Sequence, residues 1–534
     1  MGGPDRNSLG VAGGALIVLI ALIILVTRLT PIWGGYDPWI DESMLLSSFP
    51  LESWAALFRP LPLFEQATPL GHAVLLHITT GIFPQDAVMA TRLVSAMAGL
   101  TAAGFLYATL RRVTIGDERV LALSLICLSP FIIRYSLEIK PYIFDYLSTC
   151  MVMYAGARLI HARRVVDMAV FVTAGVFAVV FSFTAPLVIG ALGIGVAVQR
   201  WADSPRGFVL REHLTFAGVL AFLAAAFLAC YFLYTRPVTA LQFASWNQQY
   251  QRDFLVFPPL SLDALRDWLA LPLFMFQQLD PLPGWVYSDY PQAPLKWIML
   301  FFFSAVMICG ISAMGRHRIY LPGSLGAAAF LIFGLNLAGI LPISFVRHFT
   351  FVMPITGIIF ACGIVVLLRW LLDRISPVHA QRTMALVLAC SVILYSARGL
   401  YRSTTLAIEE VSPLIAHIQA DDHANAPVWV YLAAQPAMRV LAPEGMSIIG
   451  NVDHVSNPVG FFFKHQNFPS FSVNEAYLRK FREDLRGRDF VWMVFSRLFM
   501  ETEVPQLRAI AEEEVGTCRE VMASRGAFLW QCGK

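Results

Sequence analysis

The sequence predicts an α-helical protein that crosses a membrane many times and ends in a small α/β domain. Three observations predict it. Hydrophobic residues make up 57% of the 534-residue chain and charged residues only 14%, whereas a soluble domain runs near 45–50% and about 25%. Uncharged runs such as Leu16–Val26, Leu214–Leu233 and Trp297–Gly310 each extend to the roughly 20 residues that cross a bilayer. After about Tyr401 charge returns and strand-like alternation replaces the apolar runs. A mean hydropathy of +0.63 excludes a single water-soluble core. The chain lacks Lys/Arg runs with interleaved aromatics and lacks low-complexity tracts, so no nucleic-acid partner is expected.

The elements follow in order. Leu9 to Leu29 is a long apolar run after a short polar start, with no small-x-small cleavage site behind it. It reads as an uncleaved signal anchor. Basic clusters fall at Arg111-Arg112, Arg158 with Arg163-Arg164, Arg200 to Arg211, Arg316 with Arg318, and Arg369 to Arg382. Placing all five on the cytoplasmic side gives eleven spans, at 9–30, 91–110, 118–134, 142–160, 166–182, 184–199, 213–234, 293–314, 321–341, 346–368 and 383–399. The N-terminus is then cytoplasmic and the C-terminal domain periplasmic, as expected for a multi-pass protein of a cell inner membrane. Pro69 to Phe83 is apolar but short, and counting it as a span would put arginines on the wrong side, so it reads as interfacial or re-entrant. The outer face then collects the first loop, 31–90, the turn 134–142, the aromatic- and proline-rich loop 235–292, and residues 342–348.

The division of the chain is 1–399 for the membrane domain and 400–534 for the outer domain. Strand-like runs occur at Val428–Leu432, Phe490–Phe495 and Ala527–Gln531, with a helix-like stretch at Ser472–Leu485. Six of the eight cysteines lie in apolar segments and read as packing residues. Cys518 and Cys532 flank a hairpin turning near Ser524-Arg525-Gly526, which sets them opposite each other. They are either a disulfide of an oxidising compartment or two free thiols.

The candidate chemistry sits on the outer side. Asp37-Pro38-Trp39-Ile40-Asp41-Glu42 places three carboxylates in six residues just beyond a span, and charge beside hydrocarbon tends to mark function. Asp41 and Glu42 diverge by about 100° on a helix, so one can face a substrate while a neighbour holds the other. Between the third and fourth spans lies Ser136-Leu137-Glu138-Ile139-Lys140-Pro141-Tyr142, with Pro141 opening a helix and Asp145 one turn inside. Lys140 offers a point charge for a phosphate. Arg92, Arg347 and His348 lie at outer helix ends, against the positive-inside bias, and call for an anionic partner such as a lipid phosphate. Glu65 precedes the re-entrant segment, which carries His72 and His77.

In this order the residues resemble the GT-C superfamily of glycosyltransferases, in the branch of the protein O-mannosyltransferases and the lipid A aminoarabinose transferase. Asp41-Glu42 after a first span, then Arg92 to Leu100, then Ser136 to Tyr142 carry the resemblance. Phe64-Glu65-Gln66-Ala67-Thr68-Pro69-Leu70 resembles a family loop of sequence Phe-Glu-Lys-Pro-Pro-Leu, with Gln66 where the family has lysine. Pro342 to Pro354, with Arg347-His348, is similar to the family's Arg-Tyr motif before a Leu/Pro-rich helix. The resemblance covers residues 1 to about 370.

It implies an inverting glycosyltransferase that takes a sugar from a polyprenyl-phosphate donor at the outer leaflet. Asp41 is then the general base on an acceptor hydroxyl, and Glu42 positions the acceptor or a cation. Lys140, Arg92 and Arg347, with His348, face the donor phosphate. Glu138 orients Lys140 or meets the sugar, and Tyr142 joins the donor-binding set. Asp37, Glu65 and His72 are secondary candidates, and in some family members Glu65 and His72 would hold a divalent cation. The spacing matches no clean metal-ligand pattern, so no metal or other cofactor is expected to be required. The expected partners are the lipid-linked donor, an acceptor hydroxyl on a glycan, lipid or protein, and the bilayer. The competing class is a transporter or flippase. Such proteins tend to put charge near the midplane of repeated halves, whereas here it lies at outer helix ends and no repeat is visible.

Overall fold

The computed structural model describes residues 10–162, 164–203, 210–240, 258–262, 264–265, 293–315, 318–341, 349–375, 379–450, 475–497 and 503–534. Helix α1 (Gly10–Trp33) leads into a short α2 (Ile40–Leu46), followed by α3 (Leu70–Ile82) and α4 (Ala87–Val113). Next come α5 (Gly116–Cys127), α6 (Pro130–Tyr135), α7 (Tyr142–Ala162), α8 (Val165–Phe181), α9 (Ala185–Ala202) and α10 (Leu210–Cys230). The membrane region ends with α11 (Ala293–Met314), α12 (Tyr320–Leu337), α13 (Met353–Ile375) and α14 (Ala380–Thr404). Among the described residues seven helices are long and apolar enough to cross a membrane, the shortest 18 residues. Leu70–Ile82, Val165–Phe181 and Ile298–Met314 are shorter apolar helices.

Two expected spans are built differently. The stretch 118–134 is not one helix. Pro130 lacks the N–H that would continue α5 and instead opens α6 at its first position. The break leaves carbonyls at the end of α5 without helical partners. Arg28 of α1, fully buried, donates Nη2 to the Cys127 carbonyl at 2.5 Å and so caps the broken end. The span expected at 346–368 begins at Met353, with Pro354 in its first turn. Elsewhere the bundle is closed by small residues. A Cβ on Gly310 of α11 would lie 2.1 Å from the Ile359 carbonyl oxygen, and one on Gly363 of α13 would lie 2.0 Å from that of Val306. These two helices therefore meet backbone to backbone, the usual means of packing in lipid.

One end of the bundle carries ion pairs between helix termini. Asp117 and Glu118, in the first turn of α5, pair with Arg369 at 2.5 Å and Arg318 at 2.8 Å. Arg158 and Asp167 join α7 to α8 at 2.7 Å. Three of the five basic clusters thus contribute to the same kind of contact.

The C-terminal domain docks at the end of the bundle where α1 finishes and α7 starts. It adds α15 (Ser412–Ala420), α16 (Gln435–Leu441), α17 (Glu475–Leu485) and α18 (Glu503–Glu514) to five strands. These are β1 (Val428–Val430), β2 (Ile448–Ile449), β3 (Phe490–Ser496), β4 (Thr517–Ser524) and β5 (Ala527–Gly533), in the order β2-β1-β3-β5-β4. The strands β2, β1 and β3 are parallel, and β5 and β4 form an antiparallel hairpin. The hairpin turns on Arg525-Gly526, with Gly526 at φ +65°, half a residue beyond a turn centred on Arg525. A bulge between Glu520 and Met522 absorbs the difference. Cys518 therefore still faces Cys532, and the two form a disulfide.

Candidate functional site

The site grows from α2. Ile40 and Met44, one turn apart, share a face and enter the core of the C-terminal domain with Val411, Leu414 and Trp429. Leu45 and Leu46 pack instead with Leu76 and Ile139 of the membrane domain. The short helix is thus held between the two domains. The adjacent acids separate as the 100° helical step requires. Asp41 stays half-buried on the first turn, while Glu42 is 1% exposed.

Glu42 is a junction. Its Oε2 accepts the Trp39 N–H at 3.1 Å and an Arg92 N–H at 3.2 Å, and its Oε1 accepts the Ile139 N–H at 2.7 Å. Arg92 also donates to the carbonyls of Tyr36, at 2.5 Å, and Asp37, at 3.2 Å. Its guanidinium lies 3.6 Å from the centre of the Tyr36 ring. Burial pushes the Tyr36 phenol up, so it stays neutral. A buried arginine with a carboxylate and two carbonyls around it holds the loop 36–42 in shape.

Asp37 points the other way. Its carboxylate accepts the N–H groups of Val411 and Ser412, at 2.5 and 2.6 Å, and the Ser412 hydroxyl at 2.5 Å. It caps the N-terminus of α15 from a different domain.

The turn 136–141 brings the second half of the site. Glu138 forms an ion pair with Arg134 of α6. Burial pushes the Glu138 carboxyl up, Arg134 pulls it down, and Glu42 and Asp41 add to the upward push. Lys140 donates Nζ to Gln66 Oε1 at 2.8 Å, and Gln66 Nε2 donates to the Phe64 carbonyl at 3.2 Å. Phe64 and Glu65 take left-handed backbone angles, φ 59° and 51°. Two such non-glycine residues in a row are strained, as is common at functional loops. Thr68 Oγ1 shares a 2.6 Å hydrogen bond with Nδ1 of His72. Tyr234, on a π-helical turn at Tyr231–Thr235, donates to the Thr68 carbonyl at 2.7 Å. The Tyr142 ring lies 5.2 Å from that of Tyr135. Asp145 accepts from Ser182 at 2.5 Å and Thr184 at 3.2 Å, locking α7 to the turn before α9.

Two crystal structures of ArnT from Cupriavidus metallidurans are similar in fold to this chain along its length. The one bound to undecaprenyl phosphate has a TM-score of 0.53 at 11% identity, over 96% of this chain and 97% of that one. The apo structure has a TM-score of 0.54 at 12% identity, over 97% and 98%. The archaeal oligosaccharyltransferase AglB from Archaeoglobus fulgidus, in complex with an inhibitory peptide and a dolichol-phosphate, has a TM-score of 0.51 at 14% identity, over 94% of this chain and 71% of that one. The chain has the GT-C fold. At these identities the likeness speaks for architecture alone. No family profile matches the sequence, and no curated protein matches it at a significant level.

On this GT-C scaffold, Asp41, Glu42, Arg92, Glu138 and Lys140 gather around the contact between α2 and the turn 136–141. Glu65 precedes Gln66 on the adjoining loop, and His72 lies in the first turn of α3. Arg347 and His348 lie outside the described residues. Among the described residues no three His, Cys, Asp or Glu groups converge as a metal site. His72 is held by Thr68 through Nδ1. Arg134 escaped the sequence reading because it closed an apolar run; its spacing of four from Glu138 was the available signal. Arg497, which comes from the C-terminal domain to the Trp39 ring, and its partner Glu409 left no signal in the sequence.

Proposed function

We propose that this protein is an inverting glycosyltransferase that moves a sugar from a polyprenyl-phosphate donor to an acceptor hydroxyl at the outer face of a cell inner membrane. The observation that carries this reading is the Glu42 junction. One buried carboxylate ties the helix bearing Asp41 to the turn bearing Lys140, so a half-buried acid and an ammonium share one corner at the end of an apolar bundle.

Asp41 takes the proton of the acceptor hydroxyl as its oxygen attacks the anomeric carbon. The bond from that carbon to the phosphate oxygen breaks on the opposite face, its electron pair leaves with the phosphate, and configuration inverts. Lys140 meets the charge that develops on the leaving phosphate, in a site already stripped of much of its water. Tyr142, with Arg347 and His348, completes the donor-binding set. Glu42 and Arg92 hold the loop 36–42, and so set the direction of Asp41 without touching the reacting atoms. The sugar moved is a hexosyl or pentosyl unit.

The Cys518–Cys532 disulfide supports an outer-face assignment for the C-terminal domain, since such bonds persist in oxidising compartments. The basic clusters at the opposite end of the bundle support a cytoplasmic N-terminus.

The test is sugar transfer in membranes supplied with a radiolabelled polyprenyl-phosphate sugar pool. Wild type is expected to transfer label, and Asp41→Asn at matched expression is expected to lose transfer while still binding undecaprenyl phosphate. Equal activity in the two would remove Asp41 as the base. No transfer by either, from any donor in the pool, would move the transport reading ahead.

A further inference from the structure

The outer domain reaches into the site at one place. The Trp39 ring, on the turn before Asp41, has the Arg134 guanidinium 5.1 Å from its centre and the Arg497 guanidinium 5.4 Å away. Arg134 belongs to the membrane domain, and Arg497 immediately follows β3. Each arginine carries its own acid: Glu138 for Arg134, and Glu409, at 3.3 Å, for Arg497. Glu409 also accepts from Ser496 at 3.2 Å.

This corner is fixed from several sides. Arg497 has a left-handed backbone, φ 46°, and its N–H donates to the Gly526 carbonyl at 3.0 Å. A Cβ on Gly526 would lie 2.3 Å from the Ile408 carbonyl oxygen, so the hairpin turn presses directly on the segment that carries Glu409. The Glu410 N–H donates to the Arg525 carbonyl at 2.8 Å, and Asp37 holds Val411 and Ser412. Strain of this kind persists only where its surroundings over-determine it.

Two polar atoms in the same corner have no hydrogen-bond partner among the described residues, though both are buried. One is a donor, Trp39 Nε1, and the other an acceptor, Glu138 Oε2. Arg134 touches both side chains. Buried polar atoms without partners are rare and call for an explanation. Asp41 stands two residues after Trp39 and lies within electrostatic reach of both Glu138 and Glu409.

The chemistry of the set restricts what would bind there. It mixes donors (Trp39 Nε1 and the two guanidinium groups) with acceptors (the Glu138 and Glu409 carboxylates). A phosphate needs donors only and would meet two carboxylates. An ammonium needs acceptors only and would meet two guanidinium groups. A hydroxyl both donates and accepts, and neighbouring hydroxyls on a sugar ring can use both halves of each arginine–carboxylate pair.

We propose that Trp39, Glu138, Glu409 and Arg497 form the acceptor subsite, and that the acceptor is a carbohydrate whose hydroxyls bridge the two domains beside Asp41. This rests on the transferase reading for its role, though not for its binding chemistry. Arg497 and Glu409 then set acceptor affinity, and the outer domain is a working part of the site.

The test is saturation-transfer NMR on the full-length chain in nanodiscs. The probes are a panel of methyl hexosides and pentosides, methyl phosphate, and an N-acetylserine methylamide. Signal is expected on glycosides and on neither other probe. Arg497→Gln and Glu409→Gln are each expected to reduce it at least tenfold, with Arg497→Lys retaining part of it. Binding of undecaprenyl phosphate should stay within twofold in all three variants, which also certifies their folding. Signal on methyl phosphate or the serine amide, no signal on any glycoside, or a glycoside signal indifferent to both substitutions overturns the proposal. The membrane transfer assay separates it from its parent. If glycosides bind through Arg497 but no label moves, the transferase reading fails and the subsite stands. If label moves and Arg497→Gln leaves its acceptor dependence unchanged, the subsite fails and the transferase reading stands.

Discussion

Asp37→Ala tests whether one carboxylate in the first outer loop fastens the outer domain to the membrane domain. In the wild type that carboxylate accepts three hydrogen bonds, from the backbone of Val411 and Ser412 and from the Ser412 hydroxyl. Removing a helix-capping acid costs about 0.5–2 kcal/mol. Here the Val411 N–H is also left buried without an acceptor, and an orphaned buried group costs about 1–3 kcal/mol. Water can reach the exposed Ser412, so its share is smaller. The sum is roughly 1.5–5 kcal/mol. At about 1.4 kcal/mol per decade, the amides at the start of α15 should exchange with solvent roughly 10- to 4000-fold faster. The assay is hydrogen–deuterium exchange on the full chain in nanodiscs, read by peptides covering 409–420, where exchange follows local opening. Asp37→Asn keeps one acceptor oxygen and should fall between wild type and Asp37→Ala. A change below threefold in the alanine variant refutes the anchoring role. Loss of sugar transfer with unchanged exchange would instead return Asp37 to the chemistry.

Glu42→Gln strands Arg92 in a buried site and should lower stability by about 3–5 kcal/mol; the double variant Glu42→Gln/Arg92→Met should recover part of that loss, checked by thermal unfolding in detergent. Cys518→Ser/Cys532→Ser opens a loop of 14 residues and should cost the outer domain about 3 kcal/mol, seen as faster exchange in β4 and β5 with α4 and α7 unchanged. Lys140→Met removes a charge-assisted contact to phosphate and should weaken undecaprenyl phosphate binding about 10- to 100-fold. Adding Gln66→Lys to that variant should restore most of the affinity, both effects being read by native mass spectrometry in nanodiscs.

Much of the bundle is written in its composition. The expected 142–160 and 184–199 differ by no more than three residues from α7 (Tyr142–Ala162) and α9 (Ala185–Ala202), because hydrocarbon rewards one kind of residue in one kind of helix. The break at Ser129-Pro130 was missed because hydropathy averages over a window that spans it, even though Pro130 announces a first turn. The same signal at Pro354 would have moved the start of α13. In the outer domain the hairpin and its facing cysteines were legible from turn chemistry. Strand β4 (Thr517–Ser524) was not, because its burial alternates poorly across the bulge. The adjacency of Asp41 and Glu42 forces them onto different faces of any helix, so their division into an outward and a buried acid was legible. The use of Arg497 was not. It depends on a contact 458 residues away in sequence from Trp39, made by a strained residue that no local pattern marks.

The position of the Lys140 ammonium shows how a loop can lack a lysine in sequence while a facing segment supplies one in space. The loop of sequence Phe-Glu-Gln-Ala-Thr-Pro has no lysine, yet an ammonium sits 2.8 Å from the Gln66 side-chain oxygen, delivered by Lys140 from the facing turn. A phosphate responds to where a charge is held and not to which segment holds it. The long lysine stem allows either side of a narrow gap to supply the same point. What must be kept is the gap, and here it is kept by Glu42, whose hydrogen bond to the Ile139 N–H fixes the backbone immediately before Lys140. The same carboxylate, through Arg92, fixes the backbone on which Asp41 stands. Glu42 therefore ties together the backbone segments that carry Asp41 and Lys140. This is why the second of two adjacent acids lies deep in the protein while the first stays half-buried.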